Sequence, residues 1–207
     1  MALSKIEICE VGPRDGLQSE SRIWSVDERV ELIDRLSATG VPRIEAVSFV
    51  NPKRVPQMAD AETVMAKVQR REGVIFAGLA LNAKGAERAI EAGCDEVRYV
   101  VVSSETFNQR NQGASIDETL AGFAQIADKV INAGLKLSAT VAAAFGCPFE
   151  GKVEPKQVAR IAKQLVDGGC VEIGIADSIG SGVPTQVDDL FESVREEVGA
   201  NIGIGFH

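Results

Sequence analysis

Glu91-Ala-Gly-Cys-Asp-Glu-Val-Arg-Tyr-Val-Val-Val-Ser103 holds the end of one element and the whole of the next. Gly93 stands where a helix needs a left-handed residue to close, and the Val- and Tyr-rich run after it suits a strand buried on both faces. The pairing recurs along the chain. Ala38-Thr39-Gly40 precedes the apolar run 43–50, Asn132-Ala133-Gly134 precedes 137–143, and Asp167-Gly168-Gly169 precedes 171–177. Helix starts are marked too. Ser25-Val-Asp-Glu28 and Ser115-Ile-Asp-Glu118 both read as capping boxes, each followed by apolar residues at helical spacing. Further helices are expected near 60–70, 84–92, 154–168 and 185–198. Strands are expected near 6–12, 43–50, 74–81, 96–103, 137–145, 171–177 and 202–207.

Regular alternation of strand and helix implies a parallel sheet with right-handed crossovers. A doubly wound open sheet and a (β/α)8 TIM barrel both satisfy that pattern. No Gly-x-Gly-x-x-Gly follows the first strand, so the dinucleotide-binding version lacks its marker. The expected fold is therefore α/β, a TIM barrel that stops after about seven strands. Its 207 residues compare with the ~250 typical of a complete barrel. The chain is expected to be one domain, 1–207, lacking the last helices and the eighth strand. Such a piece, taken alone, is expected to be inactive.

Composition narrows the function classes. Hydrophobic residues make up 45% and charged residues 25%, an ordinary globular balance. A net charge of −8 argues against nucleic acid as a partner, since phosphate backbones need clustered Lys and Arg. No apolar run approaches the ~18 residues of a membrane-spanning helix. The N-terminal run has no signal-peptide core, so a cytoplasmic location without membrane attachment is expected. The four cysteines form no Cys-x-x-Cys pair. Cys9, Cys94 and Cys170 read as buried thiols in or beside strands. Cys147, between Gly146 and Pro148, falls in a loop.

Chemistry in a barrel gathers at the carboxyl ends of the strands. Strand one leads into Glu10, Arg14, Asp15 and Gln18; strand two carries Glu45 and Ser48; strand three gives Asn82 and Lys84. Strand four ends at Ser103, Ser104 and Glu105, strand six at Asp177 and Ser178, strand seven at His207. Glu45 lies inside an apolar strand, where a carboxylate needs a cation, a metal or a proton, and Arg14 is the natural partner. Arg14-Asp15 beside Gly16 also reads as a turn with a local salt bridge. Asp177 also reads as a cap of the loop after it. A lone histidine such as His207 is commonly structural, but an Asp on strand one and a His on strand seven also suit a metal site. Carboxylate oxygen and imidazole favour Mg²⁺ or Mn²⁺ over a thiolate-bound metal. Such an ion with Arg14 beside it suits carbon–carbon cleavage, or the reverse, through an enolate.

Glu10-Val-Gly-Pro-Arg-Asp-Gly-Leu-Gln18 resembles the strand-one motif of the 3-hydroxy-3-methylglutaryl-CoA lyase family. The similarity continues through Ile44-Glu-Ala-Val-Ser-Phe-Val-Asn-Pro-Lys53, Leu81-Asn-Ala-Lys-Gly85, Phe145-Gly-Cys-Pro-Phe-Glu-Gly151 and Ala176-Asp-Ser-Ile-Gly180, spanning nearly the whole chain. The resemblance implies cleavage of the acyl-CoA substrate to acetyl-CoA and acetoacetate with Mg²⁺ or Mn²⁺, and allows a homodimer. It implies that Asp15 and His207 are metal ligands, with Arg14, Asp15, Glu45, Asp177 and His207 catalytic. Of the other strand-end residues, Gln18, Ser48, Asn82 and Lys84 are the substrate-binding candidates. Lys53, Arg54 and Lys84 suit nucleotide phosphates, and equally suit solvent. The family's second His, its Asn ligand and its Cys-containing loop would fall beyond residue 207. Ser21 stands where many members carry Lys. Gly174 replaces a common Ser, which is expected to leave room for a different acyl chain. A Claisen-type synthase on the same scaffold and an inactive fragment are the competing readings.

Overall fold

The computed structural model describes residues 6–207; residues 1–5, part of the run searched for a signal peptide, lie outside the described residues. Seven strands alternate with helices: β1 (Cys9–Glu10), α1 (Val26–Ser37), β2 (Arg43–Ser48), α2 (Ala61–Lys67), β3 (Ile75–Leu79), α3 (Ala83–Glu91) and β4 (Glu96–Val102). Then follow α4 (Glu105–Gln112), α5 (Ile116–Asn132), β5 (Lys136–Ala142), α6 (Pro155–Asp167), β6 (Glu172–Ile175), α7 (Pro184–Val198) and β7 (Gly203–Phe206). The strands hydrogen-bond in chain order, β1-β2-β3-β4-β5-β6-β7. A doubly wound sheet reverses its order at a switch point, whereas an unbroken sequential order belongs to the (β/α) barrel class. The fold class expected from the sequence is the one observed. No helix among the described residues is long and apolar enough to cross a membrane.

Two compact units divide the chain: the described residues up to Ala80 with Lys84–Val97, and Leu81–Ala83 with Arg98–His207. In the first unit, parallel β1, β2 and β3 carry the core, and all six residues of β2 are buried. Ile33 of α1 and Phe76 of β3 are fully covered, each contributing about 1.5–3 kcal/mol by leaving water. Arg43 is buried with them. It pairs there with Glu7 and, at 3.4 Å, with Glu96, which offsets the cost of burying its charge.

The second unit is built on parallel β5, β6 and β7, with register Thr140↔Gly174↔Gly205. Tyr99 packs on Phe123 of α5, ring centroids 5.3 Å apart, and its hydroxyl donates to the Thr119 carbonyl at 2.9 Å. Both expected capping boxes form, one per unit: Ser25 with Glu28, and Ser115 with Glu118. The glycines read as helix stops, Gly40, Gly93, Gly134 and Gly169, all take positive φ.

Two local expectations fail for identifiable reasons. The first strand covers Cys9–Glu10 rather than 6–12, because Gly12–Gly16 closes one π-helical turn in which Pro13 has no N–H for a ladder. Helix α4 carries a single large apolar residue, Phe107, so no apolar stripe announces it. It is held by Asn108, whose amide accepts from Val102 N–H and donates to Ala114 O and Thr119 Oγ1 at 2.7–3.0 Å.

Candidate active site

The π-turn after β1 fixes the first half of the site. Val11 O accepts from both Arg14 N–H and Asp15 N–H, and the Glu10 carboxylate accepts from Gly12 N–H at 2.6 Å. This geometry turns the Arg14 side chain, 8% exposed, onto Glu45, 1% exposed. Arg14 Nε donates to Glu45 Oε1 at 2.5 Å, and Nη1 donates to Asp15 Oδ1 at 2.6 Å. Neither pair uses Nη2. Two carboxylates therefore orient the guanidinium and hold one donor edge in reserve, an arrangement suited to an oxygen that gains negative charge during a reaction. The pairing of Glu45 with Arg14 is the one read from the sequence.

Ser48 enters the same region through a register shift. Glu45 pairs with Ala77, then Val47 with Gly78 and Ser48 with Leu79, so a bulge falls between 45 and 47. Three residues apart, Glu45 and Ser48 would face opposite sides of a regular strand; the bulge returns Ser48 to the face of Glu45. Its hydroxyl is fully buried and has no hydrogen-bond partner among the described residues. Gln18 lies half-buried just beyond the π-turn. Lys53, Arg54 and Lys84 are all exposed on the loops after β2 and at the start of α3.

The second unit uses backbone instead of side-chain charge. Asp177 Oδ1 accepts from Ile179 N–H (3.4 Å) and Ser181 N–H (3.1 Å), and Oδ2 accepts from Gly182 N–H at 2.7 Å. Burial by itself would raise the Asp177 carboxyl. The N–H groups of Gly182, Ser181, Ile179 and Gly180 outweigh it and hold the carboxyl below its ordinary value. The loop-capping reading of Asp177 is thus realised. Its backbone N–H donates to His207 O at 2.8 Å, while His207 N–H donates to Ile175 O, and the His207 residue is exposed. Asn82 is likewise exposed.

Several strand-end candidates serve the scaffold. Ser104 donates to Cys147 Sγ at 2.8 Å, and Glu105 accepts from Ile116 N–H. Cys147 lies in a loop as expected yet is buried, and its sulfur also accepts from the N–H groups of Phe149 and Glu150. None of the four cysteines forms a disulfide; Cys94 and Cys170 are buried, and Cys9 is half-buried. The room expected above Gly174 is already taken: a Cβ there would meet Thr140 Oγ1 at 2.9 Å. That expectation is corrected, because the neighbouring strand fills the space the glycine leaves. One strand-end feature carried no sequence signal at all. Ala143, after β5, has φ +56°, a left-handed conformation unusual for a residue with a Cβ.

The sequential parallel β/α fold, with an arginine–carboxylate cluster after strand one, defines a chain of the (β/α) barrel class. The chain belongs to the HMGL-like family, whose model matches residues 5–207. It is 43% identical over 194 residues to the mitochondrial hydroxymethylglutaryl-CoA lyase of Bos taurus, covering 94% of this chain and 60% of that protein. It is 41% identical to the 3-hydroxy-3-isohexenylglutaryl-CoA/hydroxy-methylglutaryl-CoA lyase of Pseudomonas aeruginosa, covering 94% and 65%. An HMG-CoA lyase structure from A. baumannii, in complex with coenzyme A and 3-methylmalate, superposes with a TM-score of 0.92 at 36% identity, covering 97% of this chain and 65% of that one. The chain therefore spans about three-fifths of the length of the curated relatives it matches.

Proposed function

We propose that this chain forms the substrate-activating part of a carbon–carbon lyase that cleaves 3-hydroxy-3-methylglutaryl-CoA, or a close 3-alkyl relative, to acetyl-CoA and a 3-oxo acid. The observation that carries the reading is the Arg14 clamp, with Nε on Glu45, Nη1 on Asp15 and Nη2 unused by either. As the C2–C3 bond breaks, its electrons move onto the thioester side and make an enolate. Arg14 Nη2 donates to that enolate oxygen. The carbinol carbon becomes the ketone of the 3-oxo acid, and a returned proton converts the enolate to the acetyl group of acetyl-CoA. Because Arg14 is oriented before substrate arrives, little reorganisation is needed as charge develops.

The family resemblance assigns a divalent metal to Asp15 and His207. Oxygen and imidazole donors fit Mg²⁺ or Mn²⁺. Among the described residues no three His, Cys, Asp or Glu side chains gather to hold an ion. When bound, such an ion supplies Lewis-acid polarisation of the substrate hydroxyl and carbonyl. In this reading the Asp15 side chain, 44% exposed beside Arg14, accepts the hydroxyl proton. Glu45 orients Arg14, Asp177 orders the loop after β6, and Gln18, Ser48 and Asn82 are polar candidates for the acyl part. Lys53, Arg54 and Lys84 are the cations offered to the coenzyme A phosphates.

The test is direct. The intact protein, given 3-hydroxy-3-methylglutaryl-CoA with Mn²⁺ or Mg²⁺, should release acetyl-CoA and acetoacetate in equal amounts. Release of free coenzyme A only from acetyl-CoA plus a 2-oxo acid would instead identify a Claisen-type synthase.

A further inference from the structure

Ala143 is fully buried and left-handed, and both of its backbone polar groups are tied by serine hydroxyls from other strands. Ser103, just after β4, donates through Oγ to Ala143 O at 2.9 Å. Ala143 N–H donates to Ser178 Oγ, beyond β6, also at 2.9 Å. The neighbouring peptides continue the seam: Ser103 N–H donates to Ala142 O, and Ala144 N–H to Ala176 O. The loops that follow are fitted to each other through glycines. A Cβ at Gly146 would meet Ser181 Oγ at 3.0 Å, and one at Gly182 would meet Phe145 at 2.8 Å and Asp177 Oδ2 at 3.0 Å. A left-handed alanine is strained, and such strain persists only where its surroundings over-determine it. Here two hydroxyls and two interlocked loops do so, beside the Asp177 carboxylate, which accepts from backbone N–H groups of its own loop.

We infer that Ser178 and Ser103 are positioning residues that act through the Ala143 peptide to lock the loops after β5 and β6 into one body, and so fix the Asp177 carboxylate for the lyase reaction. Ser178 is the decisive member because it adjoins Asp177 in sequence. Neither serine touches substrate in this role. The inference rests on the lyase reading only for its kinetic half; the locking itself is a property of the fold.

The experiment compares Ser178→Ala, Ser178→Thr and the unaltered intact protein by amide hydrogen exchange and by steady-state cleavage of 3-hydroxy-3-methylglutaryl-CoA. Ser178→Ala should raise exchange at Ala143, Gly182 and Ser181 at least tenfold and lower kcat about tenfold, with KM held within twofold. Ser178→Thr, which keeps the hydroxyl, should recover most of both. Exchange unchanged in Ser178→Ala overturns the lock. Raised exchange with kcat unchanged overturns the positioning role. If the unaltered protein cleaves no such acyl-CoA, the lyase reading fails by itself, and raised exchange restored by threonine still supports the lock.

Discussion

The two units solve one electrostatic problem in different ways. Near β1 and β2 a buried carboxylate, Glu45, is neutralised by a buried guanidinium from a distant part of the chain. After β6, Asp177 is satisfied by peptide N–H groups two to five residues ahead of it. The first arrangement leaves Arg14 a donor, Nη2, that neither carboxylate uses. The second spends its carboxylate on holding a loop in shape. Substitutions should therefore separate the two: those around Arg14 should act on rate and global stability, those around Asp177 on loop order and its dependence on pH, and on rate only through that order.

The sharpest test of that contrast is Arg14→Ala, which should lower kcat of the intact enzyme by about 10²–10³, the usual cost of removing one oxyanion donor. An effect confined to KM would break the assignment. Next in size, Glu45→Ala should destabilise the protein by about 3–5 kcal/mol in urea unfolding, because it strips the buried Nε of Arg14 of its acceptor. A loss below 1 kcal/mol would mean that Arg14 is held by other contacts.

Asp177 should respond mainly to acid. Its carboxyl sits below the ordinary value of 3.8, so its contribution is fully present above that pH and is lost as pH falls through the lower folded value. Asp177→Asn should remove this acid-dependent part of loop protection, measured by hydrogen exchange at Gly182 and Ser181, while leaving neutral-pH global stability within about 1–2 kcal/mol. Unchanged acid sensitivity would show that another group titrates there.

The capping boxes supply a matched control, one in each unit. Ser25→Ala and Ser115→Ala should each cost about 1 kcal/mol in denaturant unfolding. Markedly unequal losses would show that the two units do not share one unfolding transition. The smallest effect concerns Cys94, whose thiol burial pushes up to about 12. At pH 8 it should resist iodoacetamide long after half-buried Cys9 has reacted. Equal labelling would show that the first unit opens readily.

Much of this was legible before any coordinates. Ser25 and Ser115 announced helix starts, the glycine stops marked the entry to each strand, and Glu45 in an apolar strand demanded a cation that Arg14 could provide. These signals are local, or they rest on a single cost too large to leave unmet. Helix α4 was invisible because Asn108, and not an apolar stripe, secures it. The open space expected at Gly174 was wrong because the occupant, Thr140, comes from a neighbouring strand.

The sequence by itself determined the order of elements, the α/β class, the family and the identity of the charged residues after strand one. Periodicity, caps and motif spacing are written along the chain, and each acts over a few residues. Only the tertiary structure decided which face Ser48 takes and that Ala143 is held left-handed between two serines. Those outcomes depend on register and on hydrogen bonds between residues 35 to 40 positions apart, and no local pattern in a strand encodes where its neighbour will place a hydroxyl.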